Sequence, residues 1–336
     1  MHYCETDFNH KSILITGGAG FIGSNLAFYF QENYPTCNVV VFDIFRSEAT
    51  FSNGNLKSFG HFKNLIGFKG EVISGDINDE EALKKLATYQ FDYIFHEAAI
   101  SDTTVLDQGT MIKTNVNAFK NILELAQKSN AVVVYASSAA TYGDAASPQR
   151  VGYEQPQNVY GFSKLAMDHL AREFSKQNPT MSIIGLRYFN VYGPREYFKN
   201  TTASMVLQLG LQILSGRTPR LFTGSDKIVR DFIYIDDVIQ ANIKAATSGK
   251  SGVYNVGTGK PRSFQDIADI LQKELETKLG TEYFTNPYSA YQMHTEADIS
   301  FTCKDLGYAP RVSLEEGIKA YVPEIQRIFK SEVNHG

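Results

Sequence analysis

Ser12-Ile13-Leu14-Ile15-Thr16-Gly17-Gly18-Ala19-Gly20-Phe21-Ile22-Gly23-Ser24-Asn25 decides how this chain folds. Ser12 to Ile15 is a short apolar run of the kind that forms a buried strand. Beyond the glycines, Phe21, Ile22, Leu26, Ala27 and Phe30 recur at helical spacing. The glycines therefore sit on a strand-to-helix turn. They contain Gly-x-Gly-x-x-Gly from Gly18 to Gly23, and also Gly17, Gly20 and Gly23 three apart. Glycines make such a turn tight, admit a pyrophosphate against the backbone, and let helix and strand pack closely. The N–H groups that open the helix then face the phosphates. A second strand, Val39-Val40-Val41-Phe42-Asp43, ends in a carboxylate twenty residues after Gly23, where a side chain reaches an adenosine ribose. A lone glycine pattern is weak; strand, turn, helix, strand and acid in this order are specific.

Outward from there, strands and helices keep alternating. Glu71-Val72-Ile73-Ser74, Tyr93-Ile94-Phe95-His96, Val132-Val133-Val134-Tyr135 and Ile183-Ile184-Gly185-Leu186 read as strands. Helices are expected over 80–89, 108–128 and 158–177. Continuous apolar strands separated by helices imply a doubly wound parallel sheet of the Rossmann type. Residues 44–69 read as a long irregular loop, a length that is more often functional than accidental. After Gly193-Pro194 the texture changes: a helix over 201–215, strand pieces near 219–222, 230–234 and 253–256, and a helix over 263–276. The expected division is a dinucleotide-binding domain over 1–187, with a returning segment near 229–250, and a smaller mixed α/β lobe that binds substrate and makes up the main part of 188–336. In open sheets of this kind ligands bind at the C-terminal edge of the strands.

The composition narrows the partners. A hydrophobic content of 43% across 336 residues supports a substantial core, and a formal net charge of -4 argues against a general nucleic-acid surface. Cys4, Cys37 and Cys303 have no metal-ligand spacing and form no even set, which fits a reducing cytoplasm and no metal site. No uncharged apolar run is long enough to cross a bilayer, and the N-terminus, with Glu5 and Asp7, is not expected to be a signal peptide.

Tyr160-Gly161-Phe162-Ser163-Lys164 carries the sharpest chemistry. Positions four apart share a helix face, so Tyr160 and Lys164 stand side by side. A phenol is a poor base at neutral pH; a neighbouring ammonium favours the phenolate. Such a pair also occurs on ordinary helix surfaces, and it gains meaning from the glycine turn upstream. Ser137 and Ser138 end a buried strand, where a hydroxyl can hold a substrate oxygen or simply cap the turn. His96 ends another strand and reads as a structural histidine.

Together these residues resemble the extended short-chain dehydrogenase/reductase superfamily over nearly the whole chain. The closer resemblance is to the ADP-L-glycero-D-manno-heptose 6-epimerases, which supply the heptose precursor of the lipopolysaccharide inner core. It is carried by His96-Glu97-Ala98-Ala99-Ile100-Ser101-Asp102-Thr103-Thr104, Asn158-Val159-Tyr160-Gly161-Phe162-Ser163-Lys164, Arg187-Tyr188-Phe189-Asn190-Val191-Tyr192-Gly193-Pro194-Arg195-Glu196, Leu221-Phe222-Thr223-Gly224-Ser225 and Arg230-Asp231-Phe232. The resemblance implies transient oxidation at C6 of the heptose, with Ser138, Tyr160 and Lys164 on one face and Lys199 handling the proton on the other. By itself Lys199 reads as a solvated loop residue.

The resemblance further implies cofactor contacts at Gly17, Gly20, Phe21, Ile22, Gly23, Asp43, Ile44, Arg46, Asp76, Ile77, Glu97, Ala98, Ala99, Ser101, Asn115, Tyr160 and Lys164. Substrate contacts carry over to Ser138, Asn190, Val191, Thr201, Gln208, Phe222, Thr223, Gly224, Ser225, Arg230 and Tyr291. Arg230 suits a diphosphate, because a guanidinium binds phosphate oxygens in pairs. Thr201 replaces a serine, and Gln208 a histidine, of some relatives. Asp43 favours NAD, whereas the subfamily uses NADP; Arg46, Lys63 and Lys69 are the cations expected to compensate, and NADP is the expected cofactor. A homo-oligomer is expected as well. The competing readings are a UDP-hexose 4-epimerase, a 4,6-dehydratase and a non-catalytic dinucleotide-binding regulator. Ala139-Ala140-Thr141 lacks the acid pair a dehydratase needs, and the intact Ser138, Tyr160 and Lys164 oppose a regulator.

Overall fold

The computed structural model describes residues 2–286 and 292–333. Its first half runs β1 (Ser12–Thr16), α1 (Phe21–Asn33), β2 (Asn38–Asp43), β3 (Glu71–Ser74), α2 (Glu80–Leu86), β4 (Tyr93–His96), α3 (Gln108–Ile112), α4 (Ala118–Ser129), β5 (Val132–Ser138), α5 (Val159–Gln177) and β6 (Ile183–Tyr188). The second half runs β7 (Asn190–Tyr192), α6 (Met205–Leu214), β8 (Arg220–Phe222), β9 (Val229–Arg230), β10 (Phe232–Tyr234), α7 (Ile235–Ala246), β11 (Gly252–Val256), β12 (Arg262–Ser263), α8 (Phe264–Glu274), β13 (Glu282–Phe284), α9 (Ser300–Leu306) and α10 (Leu314–Ile328).

Seven strands form one sheet in the order β3-β2-β1-β4-β5-β6-β11, and every pairing in it is parallel. Alternate residues of a strand point to opposite faces, and here both faces are covered. Ile13, Ile15, Val39, Val41, Phe95 and Val134 face α1, α7 and the second lobe, while Leu14, Val40, Phe42, Ile94, Val133 and Tyr135 face α4 and α5. That two-sided burial explains the unbroken apolar runs. The register places Thr16 beside both Phe42 and His96, so the central strands end level at one edge.

Three expectations need correcting. The return to the first domain runs past the expected 229–250: α7, inside that range, packs on the same core as α1, and β11, beyond it, pairs with β6 as the edge of the main sheet. The helix expected over 201–215 starts only at Met205, where Ser204 caps it by accepting from Leu207 N; a short turn, Tyr197–Thr202, precedes it. The segment 44–69 is not shapeless. It carries an antiparallel bridge from Thr50 to Leu56 and a helical turn at Phe62–Leu65. His61 N and the Asn64 side-chain amide both donate to Ala19 O, at 3.0 and 3.1 Å, which ties the segment to the glycine turn. The path over 108–128 is helical as expected, with one wider turn at Lys113–Asn117.

The second lobe consists of α6, α8 and α10 with three two-stranded pairings, β10 with β7, β12 with β9 and β13 with β8. Among the described residues no helix is long and apolar enough to cross a membrane.

Candidate active site

The glycine turn is built for close approach. A methyl group on Gly17 would lie 2.7 Å from Ala98 N, and one on Gly23 would collide with Gly17 O. Helix α1 has no side-chain cap at Gly20 and no acid in its first turn. Its opening N–H groups have no partner within the helix and carry the positive end of the helix dipole. Gly20, Phe21, Ile22 and Gly23 line a cleft of about 510 Å³ that runs along the C-terminal edge of the sheet, within the size range of cofactor sites. These residues fit a dinucleotide pyrophosphate.

Asp43 is 5% exposed. Its two oxygens accept from Ala19 N at 3.0 Å and Phe45 N at 2.7 Å, and Gly60 closes over it. The carboxylate is thus already engaged by backbone; burial raises its pKa and those two bonds lower it.

Tyr160 and Lys164 are set by the start of α5. Asn158 caps the helix, accepting from Gly161 N at 2.7 Å. A methyl group at Gly161 would run into Ala140 O, so glycine lets the helix dock against the turn Ala139–Thr141 and brings Tyr160 to Ser138. Lys164 is 1% exposed, donates to Ala136 O at 2.8 Å, and lies 5.9 Å from the Tyr160 ring centre. One turn on, Asp168 accepts from Arg187 Nε and Nη2 at 3.0 and 2.8 Å, from Tyr135 Oη at 3.0 Å and from Ser137 Oγ at 3.1 Å. This buried bracket locks α5 to β5 and β6; removing one partner of such a pair strands a buried charge.

Burial brings the Lys164 ammonium down to about 8, against the supporting charges of Glu97 and Asp168. It pushes the Tyr160 phenol up; the Ser138 hydroxyl works in the other direction, and Glu97 adds to the rise. Among the protein's own groups, burial thus outweighs the expected activation of the phenol. Glu97, at the end of β4, opens on the cleft. Burial raises its pKa to about 7, opposed by the Tyr188 hydroxyl, which donates to Oε1 at 2.9 Å, and by Lys164. Tyr188 in turn accepts from Asn242 Nδ2 at 2.9 Å. His96 stays neutral: burial and Lys164 lower it to about 3, and Nδ1 lies 2.7 Å from Thr16 Oγ1.

Lys199 lies on the turn Tyr197–Thr202 and lines the same cleft. Glu196, fully buried, straps that segment by accepting from Gly193 N at 3.2 Å and from Ser204 N and Oγ at 2.7 Å each. Burial lowers the Lys199 pKa, and Glu196 opposes the fall.

The cleft brings together Ser138, Tyr160, Lys164 and Lys199. With them it gathers Gly17, Gly20, Phe21, Ile22, Gly23, Asp43, Ile44, Asp76, Ile77, Glu97, Ala98, Ala99, Ser101 and Val191. Other expected residues sit elsewhere. Arg46 turns away, donating to Phe198 O beside the Phe198 ring. Asn115 lies behind the wall, fully buried, bonded to Ile100 N and O and to Ser163 Oγ. Lys63 is paired with Glu332 at 2.7 Å, and Lys69 is exposed away from the cleft. Gln208 closes its own helix start, donating to Thr201 O and Ala203 O. Asn190, Thr201, Phe222, Thr223, Gly224, Ser225 and Arg230 do not form the cleft wall. Arg230 is buried and donates to Val229 O and Gln292 O, while Asp231 accepts from Thr258, Gly259 and Ala297. Tyr291 lies outside the described residues. The sequence reading missed Phe51, Lys57 and Ser58, which line the cleft from the 44–69 segment. The signal for Lys57 was a basic residue three before Gly60, the glycine that closes on Asp43. Among the described residues no acid, histidine and cysteine cluster suits a metal.

Among solved structures the chain resembles ADP-L-glycero-D-manno-heptose-6-epimerase of Helicobacter pylori, at 51% identity over 97% of this chain and 99% of that one, with a TM-score of 0.88. The UDP-glucose 4-epimerase of Thermotoga maritima, solved with UDP-glucose, is 28% identical over 94% and 99%, with a TM-score of 0.83. The UDP-N-acetylglucosamine 4-epimerase of Methanobrevibacter ruminantium, solved with UDP-N-acetylmuramic acid, is 26% identical over 94% and 98%, also at 0.83. A model of one family matches residues 13–257, from the first buried strand to just past the last strand of the sheet, and on that match the chain belongs to the NAD dependent epimerase/dehydratase family.

Proposed function

We propose that this chain converts ADP-D-glycero-D-manno-heptose to ADP-L-glycero-D-manno-heptose by epimerisation at C6, with a nicotinamide dinucleotide bound throughout. One observation carries the reading: Ser138, Tyr160, Lys164 and Lys199 converge on one cleft in a chain 51% identical to an enzyme of that name. A 4-epimerase of UDP-hexoses is the second reading, supported at 28% and 26% identity.

The bound nicotinamide supplies a reversible oxidation of the sugar alcohol to a ketone. The chain's own residues do the rest. Ser138 holds the reacting oxygen, and Tyr160 handles its proton on one face. Lys164, cationic below about pH 8, supports the phenolate electrostatically. Lys199 handles the proton when the other face reacts; its lowered pKa brings it nearer the working pH of a general acid. Substrate is held by the second lobe, with Val191 on the cleft and Arg230 and the 222–225 turn beyond it. The first 187 residues, completed by α7 and β11, hold the dinucleotide.

NADP is the cofactor we propose. Asp43 spends both oxygens on backbone N–H groups, which weakens its claim on a ribose hydroxyl, and Lys57 and Ser58 bring a cation and a hydroxyl into the same cleft. The three unpaired cysteines support a cytoplasmic enzyme, serving lipopolysaccharide precursor synthesis as a homo-oligomer. The test is direct: purified protein is given ADP-D-glycero-D-manno-heptose, and the product is followed by proton NMR without added cofactor. Approach to a mixture of the two C6 epimers is expected. Conversion of UDP-glucose to UDP-galactose, with the heptose untouched, would replace this reading with the second.

A further inference from the structure

The segment 44–69 folds back on the site with a defined tip. Thr50 pairs with Leu56, Phe51 N donates to Asn55 O at 2.8 Å, and Gly54 N donates to Phe51 O at 2.9 Å. Gly54 turns the corner at φ +82°, which glycine adopts freely. The result is a small hairpin. Its buried apolar side chain, Phe51, is 8% exposed and belongs to a cluster with Ile100, Val105, Met111 and Tyr160 that is separate from the cores on the sheet; Leu56, at the far end of the hairpin, is half-buried and lines the cleft. Phe51, Ile100 and Tyr160 also line the cleft.

Polar ties fix the hairpin there. Asp102, 2% exposed, accepts from Asn53 Nδ2 at 3.1 Å and Asn55 Nδ2 at 2.7 Å, and from Thr104 N and Oγ1 of its own loop at 2.8 and 2.7 Å. On the other side, Asn55 Oδ1 accepts from Thr201 Oγ1 at 3.4 Å, on the turn that carries Lys199. Lys57 Nζ lies 5.8 Å from the Phe51 ring centre. The hairpin therefore joins the Tyr160 side of the cleft to the Lys199 side. A charged acceptor bonded to two side-chain amides is a strong tie, yet nothing covalent holds it.

We propose that the hairpin Thr50–Leu56 is a wall of the reaction pocket: Phe51 is a positioning residue that holds the Tyr160 ring and keeps water from it, and Asp102 holds the wall in place through Asn53 and Asn55. The proposal rests on the epimerase reading and goes beyond it by assigning the 44–69 segment. A redox-neutral epimerase must keep its ketone until the carbon is reduced again. With an oxidised nicotinamide bound, the C6–H bond would break with its electron pair passing to that group, and the hydroxyl proton would pass to Tyr160. A ketone that escapes leaves one reduced nicotinamide behind and one proton for solvent. A loosened wall therefore shows itself as leakage, which a purely structural loop would not produce.

The test uses the full chain with its bound cofactor and the variants Phe51→Ala, Phe51→Leu and Asp102→Ala. Phe51→Ala is expected to lower kcat by about 10- to 100-fold, as a misplaced catalytic group does, with KM for the nucleotide sugar changed by less than about threefold. It should also accumulate reduced nicotinamide, read by its absorbance, and release ketone into solution. Phe51→Leu should restore most of kcat and stop the leak. Independently of turnover, hydrogen exchange on the cofactor-stripped protein should show amides 51–57 opening about tenfold faster or more in Asp102→Ala. Parent kcat without leakage in Phe51→Ala, or unchanged exchange in Asp102→Ala, overturns the proposal. A parent that ignores the ADP-heptose but turns over a UDP-hexose refutes the substrate reading alone; the same variant-to-parent ratios on that sugar, and the exchange data, still decide the wall.

Discussion

Replacing Glu97 with Gln is expected to make the cofactor-stripped protein more stable at pH 8 and no more stable at pH 4. In the folded chain the carboxyl titrates near 7, against an ordinary 4.5, because burial outweighs the Tyr188 bond and the Lys164 charge. The direction is opposite to that of a salt-bridged acid. Below pH 4.5 both folded and unfolded chains hold the proton, and nothing is lost. Between 4.5 and 7 only the folded chain holds it, so stability falls as pH rises, and it levels off above 7. The full interval sets a ceiling of roughly 3 kcal/mol on the ionised form's penalty. Glutamine keeps an oxygen for the Tyr188 hydroxyl and removes that penalty, but it also removes a charge that supports Lys164. The net gain at pH 8 is therefore about 1–2 kcal/mol, read as a higher urea midpoint at constant slope. The same loss should move the Lys164 pKa below 8 and shift the alkaline limb of the kcat profile downward. Equal urea midpoints for parent and variant at pH 8, or a gain of the same size at pH 4, would refute the assignment of a strained carboxylate at this position.

Tyr160→Phe should lower turnover by about 10²–10⁴-fold while the protein still retains nicotinamide through gel filtration; normal turnover removes Tyr160 from the chemistry. Lys199→Ala should slow epimerisation with unchanged circular dichroism, assayed from each C6 epimer separately, and parent activity in both directions returns the lysine to a surface role. Gly161→Ala should cost about 1–3 kcal/mol, because the new methyl group meets a backbone carbonyl and not a flexible side chain, and should lower kcat as α5 shifts from Ser138; an unchanged melt and kcat would contradict the docking described. Lys57→Ala should weaken NADP by about tenfold and NAD hardly at all if the lysine meets a 2′-phosphate, measured by calorimetry on stripped protein; a parent that prefers NAD defeats the NADP reading.

What was legible in the sequence was local. The glycine turn announces itself because every part of it, from Ile13 to Asp43, lies within one βαβ unit. Tyr160 and Lys164 could be paired because helical geometry makes residues four apart neighbours. The Arg46 reading failed to match its placement because charge was taken to point at the ligand, whereas this guanidinium folds against Phe198, over a hundred residues on. The hairpin at Thr50–Leu56 left no periodic signal; it is fixed by Asn53 and Asn55 reaching Asp102, and single polar contacts across such separations carry no pattern. Likewise Val253 to Val256 looked like any short strand. Only the tertiary pairing with β6 says to which sheet it belongs. The strained carboxyl of Glu97 comes from its burial, and the Tyr188 hydroxyl that eases it belongs to a strand far along the chain.

The position of β11 bears on how the chain is made. Domains generally fold from the N-terminus as they emerge during synthesis, but here the strand that closes the edge of the sheet, Gly252–Val256, is translated only after much of the second lobe. Until then β6, whose end carries Tyr188 to Glu97, presents an unpaired edge, the kind of surface on which chains stick to one another. A chain cut at residue 187 would keep every glycine of the turn and both Tyr160 and Lys164, yet leave that edge open permanently. The two halves of this protein are therefore not exchangeable parts: the ribosome must deliver much of the second lobe before the parallel sheet is closed and safe in solution.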